Sequence, residues 1–128
     1  MTDSLVDAAR RVRERAYAPY SRYLVGAALE GEDGSVHVGC NVENASYGLA
    51  ICAERMALGA AVAAGVQRFR RIAVVTESDP PATPCGSCRQ MLLEFAPDAE
   101  VLAVGPSGTS RFTLQDLLPH AFRREHLP

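Results

Sequence analysis

The stretch Ile72-Ala73-Val74-Val75-Thr76-Glu77-Ser78-Asp79-Pro80-Pro81-Ala82-Thr83-Pro84-Cys85-Gly86-Ser87-Cys88 decides the fold. Its first five residues are a short apolar run suited to a buried strand. Residues 79–84 read as a rigid loop because proline fixes φ, and a helix over about Cys85–Phe95 follows them. Val101–Val104 is the next strand. Working outward, Leu5, Ala8, Ala9, Val12 and Ala16 share one helical face over about Ser4–Ala16, with the arginines opposite and Pro19 as the stop. Leu24–Leu29 and Ser35–Cys40 form a strand pair around the turn residues Glu32-Asp33-Gly34. Ile51–Ala64 is Ala-rich and helical and stops at Gly65. After the turn Gly105-Pro106-Ser107-Gly108, Arg111–Thr113 is a last short strand before a helix through Leu117. Helices interleaved with strands predict a sheet covered on both faces, an α/β protein in three layers.

A length of 128 residues lies below the roughly 150 that serve as a norm for one domain, so the chain is expected to be a single domain over 1–128. With 48% hydrophobic residues it has material for a core. A formal charge of −2 and a pI near 5.9 argue against a basic face for nucleic acid. All 13 basic residues are arginine. The absence of lysine excludes a Walker-type phosphate loop and a Schiff-base enzyme. The first sixteen residues mix charges among apolar residues and hold no secretory core, which points to a cytoplasmic protein. No apolar run reaches the roughly 18 residues of a membrane span. Four cysteines in such a chain read as thiols or metal ligands rather than a disulfide framework.

The chemistry lies at Cys52-Ala53-Glu54 and Pro84-Cys85-Gly86-Ser87-Cys88. A Cys-x-x-Cys pair opening a helix brings both sulfurs to one metal, and the helix N-terminus favours their thiolates. Taken alone, such a pair is more often redox-active or a structural zinc site. With Cys52 at a second helix start it makes three thiolates and one open position, the layout of a catalytic zinc whose fourth place holds water. Glu54 beside that water would move its proton to a substrate nitrogen. Residues two apart in a helix point about 200° away from each other. Cys52 and Glu54 therefore share a site only if Cys52 stands at the helix boundary.

In this order and spacing, the two motifs match the zinc-deaminase signature, with Cys in place of His as first ligand. From about Arg15 to Phe122 the sequence resembles the small zinc-dependent cytidine deaminases that form homotetramers. The resemblance rests on Ala18-Pro19-Tyr20-Ser21-Arg22-Tyr23-Leu24-Val25-Gly26-Ala27-Ala28-Leu29, on Gly39-Cys40-Asn41-Val42-Glu43-Asn44-Ala45, on Cys52-Ala53-Glu54-Arg55, and on Pro84-Cys85-Gly86-Ser87-Cys88-Arg89-Gln90. It implies a three-layer α/β/α cytidine deaminase-like fold with a central mixed sheet of about five strands. It implies one Zn2+ per chain on Cys52, Cys85 and Cys88, with Glu54 as the catalytic acid and base. By the same resemblance Asn41 and Glu43 bind the ribose, and Tyr23 and Ala53 lie against the base. Tyr23 stands where the family usually has Phe, and a buried phenol needs a partner for its hydroxyl. Otherwise it is a core aromatic beside a strand. Arg55 and Arg89, with Gln90, are expected around the metal ligands, the guanidiniums donating to the sulfurs. Cys40 is left as a buried free thiol, and the motif assigns none of His37, His120 and His126 to zinc.

The implied activity is hydrolytic deamination of cytidine and deoxycytidine to uridine and deoxyuridine, with a zinc-activated water and release of ammonia, as in pyrimidine salvage. Its partners are a pyrimidine nucleoside and other copies of itself, with no nucleic acid and no membrane. Leu117-Leu118-Pro119-His120-Ala121-Phe122 resembles the family's C-terminal block, so Phe122 and Tyr47 are expected to complete sites across subunit contacts. The alternative for Phe122 is that it anchors the tail on its own core. The competing class is a structural zinc module using Cys40 as a fourth ligand, in which Glu54 is dispensable.

Overall fold

The computed structural model describes residues 3–128. Helix α1 spans Ser4–Arg13 and opens on Asp3, whose carboxylate accepts the Leu5 amide at 2.9 Å. Arginines crowd its last turn, where the helix dipole favours cations. It ends three residues before Ala16 because the chain is drawn away: Tyr17 pairs in parallel with Val42, its amide donating to the Asn41 carbonyl at 3.0 Å. Strands β1 (Gly26–Gly31) and β2 (Val36–Cys40) form the expected hairpin.

Helix α2 covers Ala53–Ala63 and stops in a Schellman arrangement. Gly65, at φ +90°, donates to the Val62 carbonyl at 3.0 Å, and Val66 reaches back to Ala61 at 3.0 Å. The helix begins two residues later than its Ala-rich composition predicts. Ile51 is held in antiparallel backbone pairing with Val42, which leaves Cys52 as the N-cap. The remaining elements are β3 (Phe69–Val75), α3 (Gly86–Phe95), β4 (Glu100–Gly105), β5 (Gly108–Thr113) and the single turn α4 (Leu114–Leu117). The last strand starts three residues before Arg111, because Gly105 and Gly108 pair directly across the turn.

Among the described residues, five strands make one mixed sheet in the order β2-β1-β3-β4-β5, parallel between β3 and β4 and antiparallel elsewhere. Side chains alternate across it with the period of two that a strand imposes. Ala28, Ala73, Val75, Leu102 and Val104 pack with Leu5 and Ala9 of α1 on one face. Ala27, Leu29, Ile72, Val74 and Val101 pack on the other with residues of α2, α3 and α4. The result is the three-layer α/β/α arrangement. Among the described residues, no helix is long and apolar enough to cross a membrane.

Gly39 brings the first turn of α2 onto the sheet. A Cβ at that position would lie 2.3 Å from the Ala57 nitrogen and 2.7 Å from the Ala53 carbonyl oxygen, both backbone atoms that have little room to yield. The start of α2 is thereby pressed against the end of β2.

Candidate active site

Past the carboxyl end of β3, Thr76 continues toward β4, its amide donating to Val104 at 3.0 Å, and the loop of residues 77–84 leads into α3. Beyond strand ends of this kind, open α/β sheets form their crevices. A cavity of about 280 Å³ lies here, near the lower limit of roughly 300 Å³ for small-molecule sites. Cys52, Ala53 and Glu54 from the start of α2 line it together with Cys85 and Thr76.

Cys52 and Cys85 are the N-caps of α2 and α3, both with extended backbone, and neither side chain caps its own helix. Their thiols are free to face each other, 3.8 Å apart, and Cys88 completes a group whose sulfurs all lie within 4.8 Å of one another. Tetrahedral zinc with Zn–S bonds of about 2.3 Å holds neighbouring sulfurs about 3.8 Å apart, whereas a disulfide needs about 2.05 Å. All four cysteines are free thiols, and the cluster fits a zinc ion. Cys40 is half-buried rather than buried, and lies outside the cluster.

Hydrogen bonding from Cys88, then from Cys85, and the Arg55 charge pull the Cys52 thiol down to about 5, against its desolvation. The same contact with Cys52, together with burial, pushes the Cys88 thiol up. Glu54, in the first turn of α2, is only 5% exposed. Burial raises its carboxyl to about 7, and the negative charge of Cys52 adds to the rise.

The two arginines serve different ends. Arg55 donates to the Ala50 carbonyl at 3.3 Å, and its Nε is buried with no partner among the described residues. The Arg89 guanidinium donates to Pro84 O at 2.6 Å, Thr83 Oγ1 at 2.7 Å and Leu117 O at 2.7 Å. These contacts go to carbonyls and a hydroxyl rather than to sulfur. A planar fork reaches three oxygens at once and so fixes the loop that sets the Cys85 backbone. Gln90 points away as well, donating to the Phe122 carbonyl at 2.9 Å.

Tyr23, Asn41, Glu43 and Ala53 all line the cavity. The Asn41 amide is already engaged, accepting from the Val25 amide at 2.9 Å and donating to the Tyr23 carbonyl at 2.8 Å, which leaves one N–H and one lone pair. Glu43 accepts from the Ser21 hydroxyl and from the amides of Tyr20 (3.0 Å) and Ser21 (3.1 Å). Those bonds, the Ser21 hydroxyl foremost, hold its carboxyl below the usual range. The Tyr23 hydroxyl finds Ser78 Oγ at 2.6 Å. Ser21 lies inside the block Ala18–Leu29 that carries the family resemblance but is given no role there, and Ser78 carries no signal of a role at the site.

Tyr47 and Phe122 lie outside this cavity. Tyr47 is 77% exposed and meets Tyr20 edge-on, at 5.8 Å between ring centroids. Phe122 is 58% exposed beside His126, while its neighbour Ala121 is the residue buried in the core.

Three sulfurs spaced for one tetrahedral ion, two of them from residues that line a cavity shared with the buried Glu54, define an α/β protein with a zinc-type cysteine cluster at the head of its mixed sheet. The chain belongs to the cytidine and deoxycytidylate deaminase family, whose zinc-binding region matches residues 1–104. It is 42% identical to a cytidine deaminase of Sporosarcina psychrophila over 127 residues, covering 98% of this chain and 93% of that one. It is 47% identical to a cytidine deaminase of Halalkalibacterium halodurans over 125 residues, 96% and 95% of the two chains. The crystal structure of cytidine deaminase from Burkholderia pseudomallei superposes with a TM-score of 0.90 at 51% identity, covering 95% of this chain and all of that one.

Proposed function

We propose that residues 1–128 act as one catalytic domain that hydrolyses cytidine and deoxycytidine to uridine, deoxyuridine and ammonia, in the cytoplasm and in pyrimidine salvage. The observation that carries this reading is the buried Glu54 carboxyl opening into the same cavity as the sulfurs of Cys52 and Cys85. Cys52, Cys85 and Cys88 are the residues that hold zinc, with the Arg55 charge beside Cys52. Bound there, zinc supplies the Lewis acidity that lets water act as a nucleophile near neutral pH. Glu54 takes one proton of the water as the water oxygen bonds to C4 and delivers it to N3 of the base. It then carries the remaining hydroxyl proton to the exocyclic amine, so that the C4–N bond breaks, ammonia leaves and the C4 carbonyl forms. The free N–H of Asn41 and the Glu43 carboxylate suit the ribose hydroxyls, and Tyr23 and Ala53 wall the base. Four unpaired cysteines suit a reducing compartment.

Incubating the zinc-loaded protein with cytidine while following loss of ultraviolet absorbance tests the activity. Cytidine and deoxycytidine are consumed, and free cytosine and adenosine are not. An inert cytidine sample overturns the reading, and equal turnover of cytosine removes the ribose contacts from it.

The active form we propose is a homotetramer whose sites are completed across subunits by Tyr47 and Phe122. Two features support it. The outer face of α2 exposes Met56 (37%) and Val62 (36%) among small residues, whose short side chains suit close packing against another copy. The tail is fastened by Ala121, which leaves the Phe122 ring turned outward with no core of its own. In a Phe122→Ala variant, cytidine binding weakens while the thermal midpoint stays near that of the unmodified protein. A fall in stability with binding unchanged would return Phe122 to the role of tail anchor. Light scattering reads the assembly directly, and a fully active monomer at assay concentration rules out shared sites.

A further inference from the structure

Tyr23 walls the cavity, but what fixes its ring lies outside the cavity. The residue is 40% exposed, too open for packing alone to hold one rotamer. Its hydroxyl instead meets Ser78 Oγ at 2.6 Å, across 55 residues of sequence. Ser78 is itself held firmly. Its amide donates to Thr76 Oγ1 at 3.1 Å, and Thr76 is buried at the end of β3. Its carbonyl sits against Gly105, where a Cβ would come within 2.3 Å of it, so only glycine at the end of β4 leaves room. A second tie runs parallel to the first. Arg13 donates through Nε to the Leu24 carbonyl at 2.9 Å and pairs through Nη1 with Glu77 at 3.1 Å. The residue after Tyr23 and the residue before Ser78 are thus joined to one guanidinium.

We propose that Ser78 is a positioning residue for the nucleoside substrate, acting through the Tyr23 hydroxyl to hold that ring as a fixed wall of the cavity. This rests on the cytidine-deaminating activity proposed above. A ring already fixed in its bound rotamer loses less freedom when substrate arrives, and that saving appears in affinity. The hydroxyl pair has no hydrogen bond to Glu54 or to the three sulfurs, so its loss acts on binding rather than on the chemical step. Because the two hydroxyls act only through each other, removing both does no more than removing one.

The test measures kcat and KM for cytidine in zinc-loaded Ser78→Ala, Tyr23→Phe, the double variant and Ser78→Thr. Each single variant raises KM about three- to tenfold, the range of one hydrogen bond, with kcat within about twofold. The double variant matches the singles, and Ser78→Thr, which keeps the hydroxyl, restores KM. An unchanged KM in Ser78→Ala, multiplied effects in the double variant, or a loss confined to kcat each overturn the proposal. Should Ser78→Ala not fold, Tyr23→Phe, which removes one oxygen at a half-open position, decides it alone. An unmodified protein inert toward cytidine overturns the activity and the positioning role together. An active protein indifferent to these variants overturns only the latter.

Discussion

Replacing Glu54 with Gln abolishes useful turnover of cytidine while the protein keeps its fold and its zinc. The carboxyl sits in the first turn of α2, only 5% exposed, two residues after the N-cap Cys52. Gln fills nearly the same volume, so packing is retained and the helix start keeps its position. The amide cannot accept the proton of water and pass it to N3. General acid–base catalysis contributes about a hundred- to ten-thousandfold, and the variant loses on that order. Metal analysis and a thermal melt establish that the variant is loaded and folded, and the absorbance assay then reads the loss. Near-normal turnover in a zinc-loaded sample would falsify the assignment of Glu54 as the proton carrier.

Zinc content supplies the second large effect. The unmodified protein carries about one zinc per chain, as a three-thiolate site with one open position requires. Cys88→Ala falls well below that and its turnover drops to background. Cys88 is fully buried and its thiol stands in the group with Cys52 and Cys85, so nothing from solvent replaces it. The loss also lowers thermal stability, because metal that binds only the folded chain stabilises it by mass action. Arg55→Gln, which removes the charge beside Cys52, costs about ten- to a hundredfold in metal affinity or activity, as changes around ligands typically do. Cys40→Ser retains zinc and activity, since Cys40 lies outside the cluster. Undiminished zinc in Cys88→Ala, or loss of zinc in Cys40→Ser, reverses the assignment and revives the four-cysteine structural module.

Local chemistry made much of this molecule legible from its sequence alone. The face of α1, the turn at Glu32-Asp33-Gly34, the stop at Gly65 and the prolines before α3 each depend on a few adjacent residues. Periodicity and turn preference act at that range. The spacing of Cys52 and Glu54 also demanded a helix boundary, and Cys52 is the N-cap.

Contacts between distant segments decided the rest. Pairing with Val42 removed Ile51 from the start of α2 and ended α1 early by capturing Tyr17. Arg89 found Leu117, 28 residues away, and its donors went to oxygen instead of sulfur. Tyr23 found Ser78, and Ala121 rather than Phe122 entered the core. The 5% exposure that raises the Glu54 carboxyl arises where α2 meets the sheet over Gly39. The sequence alone determined which cysteines could share a metal and where most helices and strands fall, because those are properties of neighbours in the chain. Only the tertiary structure decided which donors meet which acceptors and how deeply a carboxyl is buried, because these depend on strand order and layer packing, which bring remote residues within reach.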